Sequence, residues 1–257
     1  MLISIDQSCS IFFGDAATCP ISHKDAQFPA FCDTLRQQLE LKHLVVQHQV
    51  HGVDGQFIAH DTQLEHATIV KDYIGDFLIT SQPSVGISVL TADCLPVVFY
   101  APAQRVVAVA HAGWRGTVAG ICTVVLDKLT KMGVQPEDVL VYFGPAARSC
   151  CYEVQADFVR TLRDALRAPQ GERENIPFVV SVVESIRTDD VLIQRDGKLF
   201  FDKTTFNKKL LLGAGVPEKN INLDYNLCTI CNHQFNSYRR AEDKKNYKVQ
   251  STVVWIK

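Results

Sequence analysis

The chain has 257 residues, of which 47% are hydrophobic and 21% are charged, a composition typical of a globular domain. The 26 basic and 28 acidic residues leave a formal charge of −2, which excludes a strongly basic protein specialised for binding nucleic-acid backbones. No run of about 18 apolar residues predicts a membrane span, and the N-terminus does not resemble a signal peptide. The 9 cysteines are an odd number without a secretion signal, which favours a reduced, cytoplasmic protein.

The hydrophobic periodicity predicts alternating strands and helices, and no linker divides them, so we expect a single domain over residues 1–257. Hairpins mixed with helices favour an α/β (α+β) fold with mixed, partly antiparallel sheets flanked by helices. In chain order, the predicted elements are a helix over 24–41, strands over 44–50, 85–90, 97–100 and 105–110, a helix over 117–132, a strand over 139–143, a helix over 155–166, hairpin strands over 191–195 and 198–201, a helix over 204–212 and a strand over 251–256.

Three polar segments follow or interrupt predicted strands. They are Gln49-Val50-His51-Gly52, Thr91-Ala92-Asp93-Cys94-Leu95-Pro96 and His111-Ala112-Gly113-Trp114-Arg115-Gly116. The strands over 97–100 and 105–110 are joined by a short link and should form an antiparallel hairpin. If residues 100 and 106 face each other, residue 95 faces residue 111. The sequence therefore predicts that Cys94 and His111 emerge at the same end of the sheet, within side-chain reach.

A thiolate beside an imidazole can ligate a metal or act as a nucleophile–base pair. The candidate third ligand is His51, which ends a predicted strand and precedes the turn residue Gly52. A Cys-His-His set leaves the fourth position of tetrahedral zinc open, as in catalytic sites. Spacing alone leaves three alternatives open: a metal site, a catalytic pair of Cys94 and His111, and a buried thiol with two ordinary histidines.

A candidate anion site lies around Arg115, just before the helix predicted from residue 117. Free N–H groups at a helix N-terminus attract anions, and Gly113 and Gly116 would let the backbone approach a ligand closely. The Arg115 guanidinium would add a charged group suited to phosphate or carboxylate. The alternative is a surface arginine beside a core tryptophan, Trp114.

Five motifs occur in a specific order between Gln49 and Arg240. They are Ala92-Asp93-Cys94-Leu95-Pro96, His111-Ala112-Gly113-Trp114-Arg115-Gly116, Gly144-Pro145 with Cys151-Tyr152-Glu153-Val154 soon after, Cys228-Thr229, and Ser237-Tyr238-Arg239-Arg240. Together they resemble the YfiH/LACC1 family, which is also called the multicopper polyphenol oxidase or laccase-like domain and DUF152.

The resemblance implies an α/β fold similar to the catalytic domain of cytotoxic necrotizing factors. It implies zinc held by two histidines and a cysteine, which fall here on His51, Cys94 and His111. It also implies phosphorolysis of adenosine, inosine, guanosine and methylthioadenosine, together with adenosine deamination. On the same grounds Tyr152 and Glu153 are candidate substrate-binding residues.

We therefore expect a zinc-dependent purine nucleoside phosphorylase with adenosine deaminase activity, acting on small-molecule nucleosides and phosphate. Arg115 and Gly113 are expected to hold the phosphate. Asp93 could orient a metal ligand or move a proton, although strand alternation points its side chain away from Cys94. The alternatives are a copper-dependent polyphenol oxidase (laccase), a metal-free hydrolase that uses Cys94 and His111, and a non-catalytic binding protein.

Other cysteines and histidines are expected to have structural or surface roles. His48 lies three residues before His51 and should point to the opposite face of a strand. A single CxxC, Cys228 to Cys231, is a weak zinc signal and is expected to be structural. Cys150 and Cys151 are adjacent, which is poor geometry for a mutual disulfide, and Cys151 is expected to pack near the site. The remaining surface predictions are His23, His43, His60 and His66.

Overall fold

Two six-stranded sheets lie face to face in the computed structural model, which describes residues 1–59, 64, 69–70, 74–167 and 187–257. The strands are β1 (Leu2–Ser4), β2 (Cys9–Phe13), β3 (His43–Val46), β4 (Gly55–Ile58), β5 (Ile69–Val70), β6 (Phe77–Thr80), β7 (Val85–Thr91), β8 (Leu95–Ala101), β9 (Val106–Ala112), β10 (Leu140–Phe143), β11 (Glu153–Val154), β12 (Leu192–Arg195), β13 (Lys198–Phe201), β14 (Ile221–Asn222) and β15 (Gln250–Ile256). The helices are α1 (Phe28–Gln38), α2 (Trp114–Val118), α3 (Ile121–Lys131), α4 (Ala156–Arg167), α5 (Thr188–Val191) and α6 (Lys203–Gly213), with 3-10 turns at Pro136–Asp138 and Glu218–Asn220.

Both large sheets contain parallel and antiparallel pairs. The first sheet has the strand order β1-β2-β15-β7-β3-β5, and the second has the order β14-β10-β8-β9-β6-β4. A third, three-stranded sheet has the order β11-β13-β12. In the first sheet β3 pairs parallel with β7, whereas in the second β8 pairs antiparallel with β9. The predicted mixed α+β fold is therefore confirmed.

Alternating side chains of the central strands build two separate cores. Val98 and Tyr100 of β8 pack between the two sheets, whereas Val97 and Phe99 pack against α2, α3, α4 and α6. The helix α1 covers the opposite face of the first sheet through residues such as Leu35. The resulting order of layers is helix, sheet, sheet, helices, so β8 and β9 are buried on both faces and consist almost entirely of apolar residues.

The single helix predicted over 117–132 is wrong, because the structure has two helices there. α2 ends at Val118 and α3 begins at Ile121, with Gly120 between them at φ 81°. This left-handed conformation is accessible to glycine at little cost and interrupts the helix. The predicted strand over 44–50 is also shorter and ends at Val46, while the predicted helix over 24–41 is confined to α1.

The hairpin predicted around Asp196-Gly197 is confirmed as β12 and β13. Its two turn residues have φ angles of 52° and 73°, as a tight turn with two left-handed residues requires. Of the histidines expected at the surface, His23 and His43 are half-buried, and His60 and His66 lie outside the described residues. Among the described helices, none has the length and apolar character needed to cross a membrane.

Candidate active site

Three side chains from distant parts of the sequence meet at one end of the second sheet. They are His51 in the loop after β3, Cys94 in the turn between β7 and β8, and His111 near the end of β9. One ligand atom from each lies within 4.8 Å of the other two, and Cys94 Sγ is 3.9 Å from His51 Nε2. The imidazole rings of His51 and His111 are 4.7 Å apart and nearly perpendicular, at 81°.

The β8–β9 hairpin brings Cys94 and His111 together. The register pairs Pro96 with His111, so Cys94 sits just beyond the end of the ladder on the same side of the molecule. The predicted register placed residue 95 opposite residue 111 and is therefore wrong by one residue. The register differs because β8 continues to Ala101, one residue beyond the predicted strand. The turn therefore spans residues 102–105, with Arg105 at φ 50°.

Asp76 is a buried carboxylate that the sequence analysis did not identify. Its Oδ1 lies 2.8 Å from His111 Nδ1, and its two oxygens also accept the backbone N–H groups of Val50, His51 and Gly52. Burial raises the pKa of Asp76, but the contacts with His111 and these amides outweigh it and hold the pKa below its ordinary value. Asp76 thus fixes the His111 ring and the His51 loop at once, and leaves His111 Nε2 free to face Cys94.

His51 occupies a strained backbone position. Its φ is 63°, which a β-carbon disfavours, and the three amides bound to Asp76 hold the loop in this shape. Gly113 packs against the other side of the same ring, because a β-carbon at Gly113 would lie 2.8 Å from His51 Cδ2. The glycine expected to approach a ligand therefore makes room for an imidazole.

Cys94 and His111 form a strongly interacting pair. Burial opposes ionisation of the thiol, but the charge and hydrogen bond of His111 lower the pKa of Cys94 well below its ordinary value. Burial also opposes protonation of His111, yet the Cys94 thiolate and the Asp76 carboxylate raise its pKa to about 9. Without a metal, these contacts therefore favour the thiolate form of Cys94 and the imidazolium form of His111, and a metal ion would take the place of the proton on His111 Nε2.

Asp93 points its carboxylate away from the three converging side chains. It accepts hydrogen bonds from Thr229 Oγ1 at 2.6 Å, Ser237 Oγ at 3.0 Å and the backbone N–H of Arg239 at 2.6 Å. The expected role in orienting a ligand is thus indirect. Asp93 anchors the segment from 229 to 239 next to Cys94 and contacts none of the three side chains in the described hydrogen bonds.

Lys203, at the start of α6, is a second residue that the sequence analysis missed. Its side chain is 2% exposed, and Nζ donates to the backbone oxygen of Asp93 at 2.5 Å. Burial lowers the pKa of Lys203, and the nearby Cys94 thiolate partly offsets this effect. The ammonium group also lies 4.8 Å from the centre of the Tyr152 ring. Lys203 therefore places a buried positive charge between Asp93, Cys94 and Tyr152.

The expected anion site around Arg115 needs correction in its local structure. α2 begins at Trp114, with Gly113 as its N-cap, so Arg115 lies in the first turn and does not precede the helix. The Arg115 guanidinium is exposed and stacks 4.4 Å from the centre of the Trp114 ring. Its positive charge lowers the pKa of the Tyr152 hydroxyl, although burial of this hydroxyl has the larger, opposite effect.

The two residues expected to bind substrate, Tyr152 and Glu153, face different surroundings. Tyr152 lies among Lys203, Arg239 and the charge of Cys94, and burial together with the Cys94 thiolate raises the pKa of its hydroxyl to about 12. Glu153 forms an ion pair with Lys198 at 2.9 Å across the small sheet.

His48 is exposed and does not belong to the His51, Cys94 and His111 group, as expected.

The model of the family described as multi-copper polyphenol oxidoreductase laccase matches residues 29–257. The chain belongs to this family. A protein of Borreliella burgdorferi named purine nucleoside phosphorylase is 34% identical over 183 residues, which cover 70% of this chain and 68% of that protein. Purine nucleoside phosphorylase YlmD of Geobacillus stearothermophilus is 34% identical over 75% of this chain and 65% of its own length. Adenosine deaminase RL5, from an unknown prokaryotic organism, is 30% identical over 80% of this chain and 74% of its own length.

Solved structures of the family share the fold. The hypothetical protein YfiH of Bacillus licheniformis superimposes with a TM-score of 0.75 at 25% identity, covering 97% of this chain and 93% of that one. The structure of YlmD from Geobacillus stearothermophilus gives a TM-score of 0.71 at 26% identity, with 97% and 91% covered. The sequence resemblance to the YfiH/LACC1 family is confirmed.

Proposed function

We propose that this protein is a zinc-dependent purine nucleoside phosphorylase that also deaminates adenosine, built as one domain over residues 1–257. Support for one domain comes from the first sheet, where β15 lies between β2 and β7 and so joins the two ends of the chain. The odd number of cysteines, nine, fits a reducing compartment, and we place the protein in the cytoplasm. Relatives named purine nucleoside phosphorylase and adenosine deaminase support both activities.

The observation that carries the proposal is the convergence of His51, Cys94 and His111 with Asp76 behind them. One thiolate and two imidazoles suit zinc, and three protein ligands leave a position for a reactant. The carboxylate of Asp76 on His111 Nδ1 is the usual support of a zinc-bound histidine. Zinc bound there would supply a Lewis acid that makes water reactive near neutral pH.

Positive charge and aromatic rings beside these ligands suit a nucleoside and phosphate. The charges of Arg115 and Arg239 both act on the Tyr152 hydroxyl, and Lys203 lies over the same ring. We assign phosphate to this group of cations, with Arg115 as the exposed one that can adjust to the anion. Burial and the charge of Cys94 raise the pKa of both Tyr152 and Tyr247, and we assign the purine to these two aromatic rings.

Arg115, Asp76 and Tyr152 would have separate roles in phosphorolysis. The attack of phosphate on C1′ of the ribose develops positive charge on the sugar, and Arg115 would hold the attacking anion in place. Asp76 keeps a proton on His111 Nδ1, so that Nε2 presents a lone pair. Tyr152, whose hydroxyl is fully protonated at neutral pH, would donate a hydrogen bond to the substrate.

A metal-free hydrolase is the second candidate, because the Cys94–His111 ion pair also resembles an activated nucleophile and its base. The position of His51 favours the metal site, since a nucleophile–base pair does not need a second imidazole on the thiolate. A laccase with several coppers would need further histidine clusters, and in the described part of the chain one metal-ligand group contains histidine.

The proposal is tested with adenosine and purified protein, by chromatography of the products with and without phosphate. We expect free adenine only when phosphate is present, and inosine under both conditions. His111→Ala should abolish both products, whereas Arg105→Ala, at the opposite end of the same hairpin, should change neither. Turnover of amides in the presence of a chelator, without turnover of nucleosides, would favour the hydrolase instead.

A further inference from the structure

Four cysteine thiols form a second cluster that the proposed activity does not use. Cys150 and Cys151 precede β11, and Cys228 and Cys231 lie in the loop after β14. The four sulfurs all lie within 4.8 Å of one another. None of Cys150, Cys151, Cys228 and Cys231 forms a disulfide, so disulfide bonding does not account for this convergence.

We propose that Cys150, Cys151, Cys228 and Cys231 bind a structural zinc ion as four thiolate ligands. Tetrahedral zinc with about 2.3 Å bonds to sulfur separates its ligands by about 3.8 Å. The Sγ atoms of Cys150 and Cys231 are 3.9 Å apart, which matches the edge of such a tetrahedron. A disulfide needs about 2.05 Å, and two adjacent cysteines are poorly placed to form one.

The backbone around Cys228 is arranged for a thiolate ligand. The backbone N–H groups of Arg148, Ile230 and Cys231 lie close to the Cys228 sulfur. A negatively charged, metal-bound sulfur is a good acceptor for such amides, whereas a neutral thiol is a weak one. The loop therefore places N–H dipoles where they favour a charged sulfur.

The two cysteine pairs are also held in place by main-chain contacts. Ala146 pairs with Cys228 as a parallel bridge, through Ala146 N–H to Leu227 O and Thr229 N–H to Ala146 O, both at 3.0 Å. Arg195 donates from Nη2 to the backbone oxygen of Cys150 at 2.8 Å and brings positive charge to a site whose four thiolates exceed the charge of zinc. Cys228 is buried and Cys150 and Cys231 are exposed, so the cluster lies near the surface, where an ion can enter.

The proposed ion would join two walls of the active site. Tyr152 directly follows the first cysteine pair, and Thr229, which holds the Asp93 carboxylate, lies between the cysteines of the second. A four-thiolate site has no open position and so supplies no reactant. Its role is to fix the positions of Tyr152 and Asp93, so its loss should lower stability more directly than it lowers metal-dependent chemistry.

The experiment measures zinc and iron per chain by elemental analysis in single variants of the full-length protein, purified under reducing conditions. Cys231→Ser should lose one equivalent of zinc relative to the parent. Cys231→His should keep it, because histidine can replace one thiolate in structural zinc sites. Cys32→Ala, in α1, is the matched control for a lost thiol and should change nothing.

The same measurement separates this site from the proposed active site. His51→Ala should keep the zinc that Cys231→Ser loses, whether or not the parent holds a second equivalent. If folding of Cys231→Ser fails, cobalt substitution of His51→Ala provides the test, with the strong visible absorption of a tetrathiolate expected. Unchanged zinc in Cys231→Ser, iron in place of zinc, or an intact mass short by two hydrogens from a Cys150–Cys231 disulfide would overturn the proposal.

Discussion

The two cysteine-containing clusters differ in their ligands and in their surroundings. One combines the thiol of Cys94 with two imidazoles and is oriented by the buried Asp76, while the other consists of four thiols on two paired loops. The first set has three ligands and faces charged and aromatic side chains, whereas the second is complete in itself. If both sets bind zinc as proposed, cysteine sulfur would support reactivity in the three-ligand set and rigidity in the four-ligand set.

The largest expected effect separates the clusters by activity. Cys94→Ser should reduce both phosphorolysis and deamination by about 10³-fold or more, because it removes a ligand from the reacting centre. The unfolding temperature should change little, since Cys94 is half-buried and hydroxyl replaces thiol at nearly the same volume. Cys228→Ser should act mainly on stability, with an unfolding temperature lower by more than about 5 °C and a smaller loss of activity than in Cys94→Ser. Equal losses of activity and stability in the two variants would contradict the different roles proposed for the two clusters.

The second largest effect concerns Asp76, the carboxylate that supports the three-ligand site. Asp76→Asn keeps the volume but weakens the hydrogen bond to His111 Nδ1 and the hold on the His51 loop. We expect zinc affinity at the three-ligand site to fall about 10- to 100-fold, measured by competition with a chelator of known affinity. Zinc in the four-thiol cluster should be unaffected, and a loss from both sites would point to general unfolding.

An effect of similar size distinguishes phosphate from nucleoside. Arg115→Ala should raise the KM for phosphate about 10- to 100-fold through loss of a charged hydrogen bond, while adenosine deamination stays near the parent rate. The exposed position of Arg115 on the Trp114 ring makes misfolding of the variant a minor concern. Initial rates at several phosphate concentrations measure the effect, and an unchanged phosphate KM would remove Arg115 from the site.

Thiol reactivity gives a smaller, pH-dependent effect in protein stripped of metal. The pKa of Cys94 lies well below that of a free thiol, so its alkylation rate should rise less steeply between pH 7 and pH 8 than the rate of a free thiol. A free thiol such as glutathione gains nearly tenfold over this interval. The charge of His111 persists below its pKa of about 9 and is lost above it. In His111→Ala the rate should regain the steep pH dependence, which mass spectrometry of the Cys94 peptide would record.

The smallest effect is expected at Glu153. Its carboxylate pairs with Lys198 on a partly exposed surface, and such pairs contribute about 0.5 kcal/mol. Glu153→Gln should therefore change neither the unfolding temperature by more than about 2 °C nor the KM for adenosine by more than about twofold. A large rise in the adenosine KM would show instead that the side chain reaches the substrate, as the family resemblance implies.

Local sequence patterns predicted the parts of the site that lie on one hairpin. The short link between two apolar strands placed Cys94 and His111 at one end of the sheet, although the register was wrong by one residue. The sequence did not indicate a role for Asp76, because its partners are distant in sequence. A single carboxylate before a strand also belongs to no periodic pattern. Lys203 follows Asp202, which caps α6 through the Thr205 N–H, and so resembles an ordinary polar start of a helix.

The four-thiol cluster illustrates a different gap. A single CxxC is a weak signal because the second pair of ligands can lie anywhere in the chain. Here the second pair is the adjacent Cys150 and Cys151, and the pairing of Ala146 with Cys228 brings the two loops together. The prediction that Cys151 packs near the active site did not include its contact with Cys228 and Cys231. Tertiary contacts between loops, and not secondary structure, decide where such ligands meet.

The position of β15 has a consequence for how the chain folds during synthesis. This strand lies between β2 and β7, antiparallel to both, so β2 has no partner on that side until residues 250–256 are available. The facing edges of β2 and β7 therefore stay unpaired until residues 250–256 have left the ribosome. Contacts of such long sequence separation form slowly. A ribosome stalled before residue 250 would hold a chain with an unfilled slot in its first sheet, ready to accept a foreign strand or a chaperone in place of β15.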